Sequence, residues 1–65
     1  MNNQDEARTL KLRSLRTSLS QQVQFLESDI TRLKDLGLNP VLLTVALKRL
    51  EEVIDQVQEA LREAP

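Results

Sequence analysis

Apolar residues recur at helical spacing in two stretches, separated by Leu36-Gly37-Leu38-Asn39-Pro40. In the first, Leu12, Leu19, Leu26 and Leu33 fall every seven residues, which defines position a of a heptad. Position d reads Leu15, Gln22, Asp29, Leu36, and position e reads Arg16, Val23, Ile30, Gly37. The apolar partner of the leucine row therefore drifts between d and e. That drift suits a helix in a short bundle, or lying on a globular partner, better than a long strict coiled coil. In the second stretch position a is Leu43, Leu50, Val57, Ala64, position d is Ala46, Val53, Ala60, and position e is Leu47, Ile54, Leu61. Every one of these is apolar, the stripe of a core-facing helix. The alanines at d predict close helix–helix approach there.

The five residues between the stretches read as stop, cap and restart. Gly37 is the single glycine, and it can take the left-handed conformation that closes a helix C-terminus. Asn39 is a good N-cap, and Pro40 then falls at the first helical position, where its missing N–H costs nothing. Asn3 with Glu6 has the spacing of an imperfect capping box. The reading is a single helical-hairpin domain over 1–65: helix 1 about 4–36, turn 37–39, helix 2 about 40–63. The fold class is all-α, an antiparallel two-helix hairpin. One seam between two helices buries too little apolar surface to offset the ordering of the whole chain. The hairpin is therefore expected to be completed by oligomerisation or by a helical partner.

Charge supports the antiparallel direction. Folding back at the turn sets the basic run Arg8, Lys11, Arg13, Arg16 alongside the acidic run Glu51, Glu52, Asp55, Glu59, Glu63. Arg13 then faces Glu63, Arg16 lies beside Glu59, and Glu27 faces Arg49. Exposed pairs of this kind select a register more than they stabilise it.

Composition excludes several functions. There is no cysteine and no histidine, which removes thiolate chemistry and the commonest general base and metal ligand. With one Phe, no Trp and no Tyr, any core is aliphatic. The net charge of −1 gives no global field toward nucleic acid or anionic lipid. No apolar run approaches a membrane span. The polar, acidic start Met1-Asn2-Asn3-Gln4-Asp5-Glu6 is unlike a signal peptide, so a cytoplasmic location is expected.

Chemistry-bearing clusters are weak. The basic run at 8–16 could be a nucleic-acid patch, as in small RNA-binding four-helix bundles. It lacks interleaved aromatics for stacking, and the acidic run opposes it. Glu51, Glu52, Asp55 and Glu59 have no second ligand type beside them and read as a solvated face. Gln22 and Asp29 edge the first stripe as register-setting or water-facing groups. No nucleophile–base pair, phosphate loop or ligand set is present, so no enzyme, cofactor or metal is expected. The start of the second helix is the exception to this plain pattern. Val41, Leu42 and Val45 lie outside its stripe, so Val41 to Leu47 is apolar nearly all round, broken by Thr44. With Leu36, Leu38 and Phe25 they give the hairpin tip an apolar surface its own helices do not cover, the mark of a contact site.

The chain resembles the small co-chaperones of bacterial type III secretion needle subunits, the YscE/PscE type. The likeness spans nearly the whole length: a polar start, a long first helix, a central turn and an amphipathic second helix. It is best over Leu19 to Pro40, through Leu19, Gln21, Val23, Gln24, Arg32, Gly37 and Pro40, and continues in Leu43, Val45, Ala46, Val53 and Val57. The resemblance implies a hairpin packed on a tetratricopeptide-like partner. That pair keeps the needle subunit's C-terminal helix from premature polymerisation. The partner-binding residues expected on this basis are Phe25, Leu36, Leu38, Val41, Leu42, Val45, Leu47, Leu50 and Ile54. Gly37-Leu38-Asn39-Pro40 with Leu43, Lys48 and Leu50 is also similar to a segment of the mitotic-spindle organising microproteins, but their upstream helix break is missing. Sporulation aspartyl-phosphatase hairpins share the Gly-Leu turn. Their Ser-Gln-x-x-Asp signature is replaced here by Leu47-Lys48-Arg49-Leu50-Glu51. The alternative to the co-chaperone is a homodimeric four-helix-bundle adaptor or regulator.

Overall fold

Local signals at the turn decide where the chain reverses. In the computed structural model, which describes residues 3–63 apart from the side chain of Asn3, two helices and no strand form. α1 runs Asn3–Asp35 and α2 runs Val41–Glu63. α1 stops in a Schellman arrangement: the Leu38 N–H donates to the Leu33 carbonyl at 2.9 Å and the Gly37 N–H to the Lys34 carbonyl at 3.0 Å. Gly37 sits at φ 75, where a Cβ would be strained. Asn39 Oδ1 accepts the Val41 N–H at 3.0 Å, and the Pro40 carbonyl accepts the Thr44 N–H at 2.9 Å. Asn39 is thus the N-cap, with Pro40 in the first-turn position. No acidic residue lies in the first turn of α2, so the Asn39 side chain carries the polar stabilisation of that end. α1 has the favourable polarity at both ends, with Asp5 and Glu6 in its first turn and Arg32 and Lys34 in its last.

α1 has 33 residues and α2 has 23. The first turns of α1 therefore extend past the end of α2 by roughly 15 Å at ~1.5 Å per residue. The result is a rod of 55 × 14 × 11 Å. The seam resolves the drift seen in the sequence. On α1 the shielded positions are Thr9, Leu12, Arg16, Leu19, Val23, Leu26, Ile30 and Leu33, alternating e and a. On α2 they are Leu43, Leu47, Leu50, Ile54, Val57 and Leu61, again a and e. This is a regular heptad seam, with Arg16 half-buried at one of its e positions. Apart from Ala60, the d positions do not join it. Leu15, Leu36, Ala46 and Val53 are exposed, and Ala60 is half-buried. The close approach expected at the d alanines is therefore not the basis of the packing. Ala64, the last member of the a row, and the Asn3 side chain of the capping box lie outside the described residues.

The interhelical ion pairs expected from charge do not form. Among the described residues the salt bridges are Arg32–Asp29 at 3.6 Å and Arg62–Glu59 at 2.8 Å, each within one helix. With a and e in the seam, Arg13 and Glu63 flank it on opposite sides, as do Glu27 and Arg49. Arg16 is inside the seam and Glu59 on the outer surface. Being level along the rod is not enough to bring two charges together.

Replacing Gly37 by Ala forces an L side chain into the left-handed region, and replacing Asn39 by Ala removes the α2 cap. Each should lower stability by about 1 kcal/mol. Chemical denaturation followed by circular dichroism at one fixed protein concentration checks this. Thr44→Ala, which loses only a hydroxyl bonded to its own helix at the Pro40 carbonyl, should change stability by less than about 0.5 kcal/mol.

Candidate protein-docking surface

Two antiparallel helices joined at an a/e seam place like-lettered flanks on the same side of the rod. The b and f positions of both helices form one face. Ser20, Gln24 and Glu27 of α1 and Glu51, Asp55 and Gln58 of α2 border a shallow groove there, with Val23 and Ile54 at its floor. Thr17, Thr31 and Thr44 share this face, and each hydroxyl donates to the carbonyl four residues back in its own helix. These threonines are thereby part of the helix surface rather than poised nucleophiles. Among the described residues no group of His, Cys, Asp or Glu could hold a metal ion. Among the described residues no helix is long and apolar enough to cross a membrane.

The d and g positions form the opposite face, and it is different in character. Leu15, Phe25 and Leu36 of α1 lie on it with Leu42, Ala46 and Val53 of α2. Phe25 is 69% exposed, Leu36 74% and Leu42 81%. At the turn this face runs into Leu38, Val41 and Val45, which are also exposed. Near the turn these large side chains lie close together in sequence, the kind of exposed apolar group that marks a contact surface, whereas Leu15, Phe25 and Val53 stand among Ser18, Gln22, Asp29, Arg49 and Gln56.

The nine partner-binding candidates therefore divide. Phe25, Leu36, Leu38, Val41, Leu42 and Val45 are solvent-exposed and available. Leu47, Leu50 and Ile54 belong to the internal seam and are half-buried by α1. The sequence reading passed over three further exposed apolar residues, Leu10, Leu15 and Val53. Leu15 and Val53 carried a signal: they share heptad position d, the row left over once a and e are used. Leu10 sits on the overhanging start of α1. There, on another side of the helix, an open groove runs along Gln4, Ala7, Arg8, Lys11, Leu12 and Leu15.

Deep burial is confined, among the described residues, to Leu19 and Val57. The chain exposes 5300 Å², whereas a compact monomer of its 7.4 kDa would expose about 4,200 Å². No family model, curated protein or solved structure matches the chain.

The division between seam and outer face is measurable. Leu19→Ala should cost about 3 kcal/mol, because it opens the one well-packed layer. Phe25→Ala should cost the isolated hairpin less than about 0.5 kcal/mol, because its ring leaves little contact behind. Denaturation midpoints of the two variants, taken where the chain is monomeric, separate these outcomes.

Proposed function

We propose that this hairpin is a non-enzymatic protein-binding co-chaperone, working in the cytoplasm as the small subunit of a complex with a larger helical protein. The observation that supports this is the excess of exposed apolar surface. Leu36, Leu38, Val41, Leu42 and Val45 form a tip that two helices cannot cover. A surface of that kind is complementary to a groove between helices of a partner. The resemblance to the needle-subunit co-chaperones supplies the particular assembly: a tetratricopeptide-like protein that this chain stabilises, and a needle subunit which that pair keeps from polymerising.

A homodimeric four-helix adaptor is the second reading. It is favoured by the one-sided distribution of apolar groups, which leaves a whole face rather than the tip alone to be covered.

Leu42→Asp and Val45→Asp test the proposal together. An aspartate at 42 lies in the first turn of α2, where it suits the helix dipole, so helix content should be kept. Affinity purification of the tagged chain should recover a tetratricopeptide-like protein together with a small needle-type subunit, and both variants should lose them by at least about tenfold. Recovery that both variants leave unchanged would overturn the tip as the docking surface.

A further inference from the structure

We propose that, in the isolated protein, a second copy of the chain closes the face carrying Leu15, Phe25, Leu36, Leu42 and Val53. The two hairpins are related by a two-fold axis along their length, with both turns at the same end. α1 of each lies over α2 of the other. This gives the homodimeric reading a register and rests on it. The co-chaperone reading is untouched, because a face closed by a copy in isolation can be opened by a larger partner.

The register follows from levels along the rod. Aligning the two seam rows back from the turn puts Leu19 level with Val57, Leu26 with Leu50 and Leu33 with Leu43. On the apolar face Leu15 is then level with Ala60, Phe25 lies between Val53 and Arg49, and Leu36 is near Leu42. A two-fold along the rod lays each α1 level on the same α2 level of the other copy. At the open end Leu15 meets Ala60 of the second copy, and at the turn end Leu36 meets its Leu42. In the middle, Phe25 rests on Val53 of the second copy, with the Arg49 guanidinium of that copy beside the ring.

Polar groups match in the same register. Asp29 already holds Arg32 of its own helix at 3.6 Å, and Arg49 of the second copy approaches its other side. Ser18 and Gln22 lie level with Gln56 of the second copy. Glu63 ends α2 opposite Lys11 and Arg8 of the copy's longer helix. No like charges are opposed. Every helix also gains only antiparallel neighbours, the dipole-compatible arrangement of a four-helix bundle.

The other self-complementary packing turns one hairpin end over end. That stacks α1 on α1 and brings Arg49 against Arg49 of the second copy near the centre. It also leaves Lys11 and Arg8 beyond the second copy's turn, away from Glu63. Charge therefore selects the first arrangement. The area suffices as well. Two helices of ~10 Å diameter over the ~35 Å length of α2 give a footprint on the order of 700 Å². Standard complexes cover about 800 Å² per partner.

The absence of cysteine makes disulfide trapping clean. Sedimentation of the full chain should show a dimer, weakened at least about tenfold by Phe25→Asp. Mixing a Leu15→Cys chain with an Ala60→Cys chain should give a covalent pair under mild oxidation. Leu15→Cys alone, or mixed with Leu36→Cys, should remain unlinked. Efficient Leu15→Cys to Leu36→Cys linkage, or Phe25→Cys self-linkage, would mean the end-over-end packing and overturn the register. A monomer at the highest soluble concentration would overturn the homodimeric reading itself.

Discussion

Two helices can share only one seam, and in this chain that constraint governs the rest. Leu19 and Val57 are its most deeply buried residues, and half-buried aliphatic residues continue it toward the turn and toward the open end. Once a and e are committed to that seam, each helix has only its flanks left to meet anything else. The b and f flanks carry mostly amides, hydroxyls and charges, with Leu10 and Val41 as exposed apolar residues at their ends. The d and g flanks carry Leu15, Phe25, Leu36, Leu42 and Val53. Each neighbour of the seam thus belongs to one of two unlike faces, and the apolar one is the basis of both proposed binding modes.

The turn fixes which face each residue joins. The Gly37 Schellman closure and the Asn39 cap leave no freedom to lengthen or shorten the connection. A one-residue change in register would rotate a helix by about 100° and bring polar flank residues into the seam. Backbone chemistry in five residues therefore places Phe25 and Val53 on one side of a rod and Glu27 and Asp55 on the other. The proposed partner surface is in this sense a consequence of the cap geometry.

Much of the fold was legible because several local signals agree. Glycine, asparagine and proline at 37, 39 and 40 carry backbone mechanisms that need no tertiary context, and the leucine row at a is unambiguous. The choice between d and e was less legible. On α2 both rows are apolar, so that helix alone cannot say which one faces its partner. On α1 the e row holds Val23 and Ile30 where the d row holds Gln22 and Asp29, and packing followed those two pairs despite Arg16 at e. The ion pairs were misread for a related reason. Charge was matched along the rod but not around it, and Arg13 and Glu63 end on opposite flanks. Of the candidate site, the tip was visible as an apolar run too wide for one stripe. The long face was not, because Leu15 and Val53 look like core until the seam is known to pass them by.

In the proposed assemblies the hairpin, only modestly stable alone, draws further stability from protein laid on its apolar face. The most direct test is the thermal midpoint of helicity for the purified chain across a hundredfold dilution. The midpoint should fall steadily on dilution, as the population shifts from closed assembly to exposed hairpin. A sharp, cooperative transition at a midpoint independent of concentration would contradict it, since the two helices would then be sufficient alone.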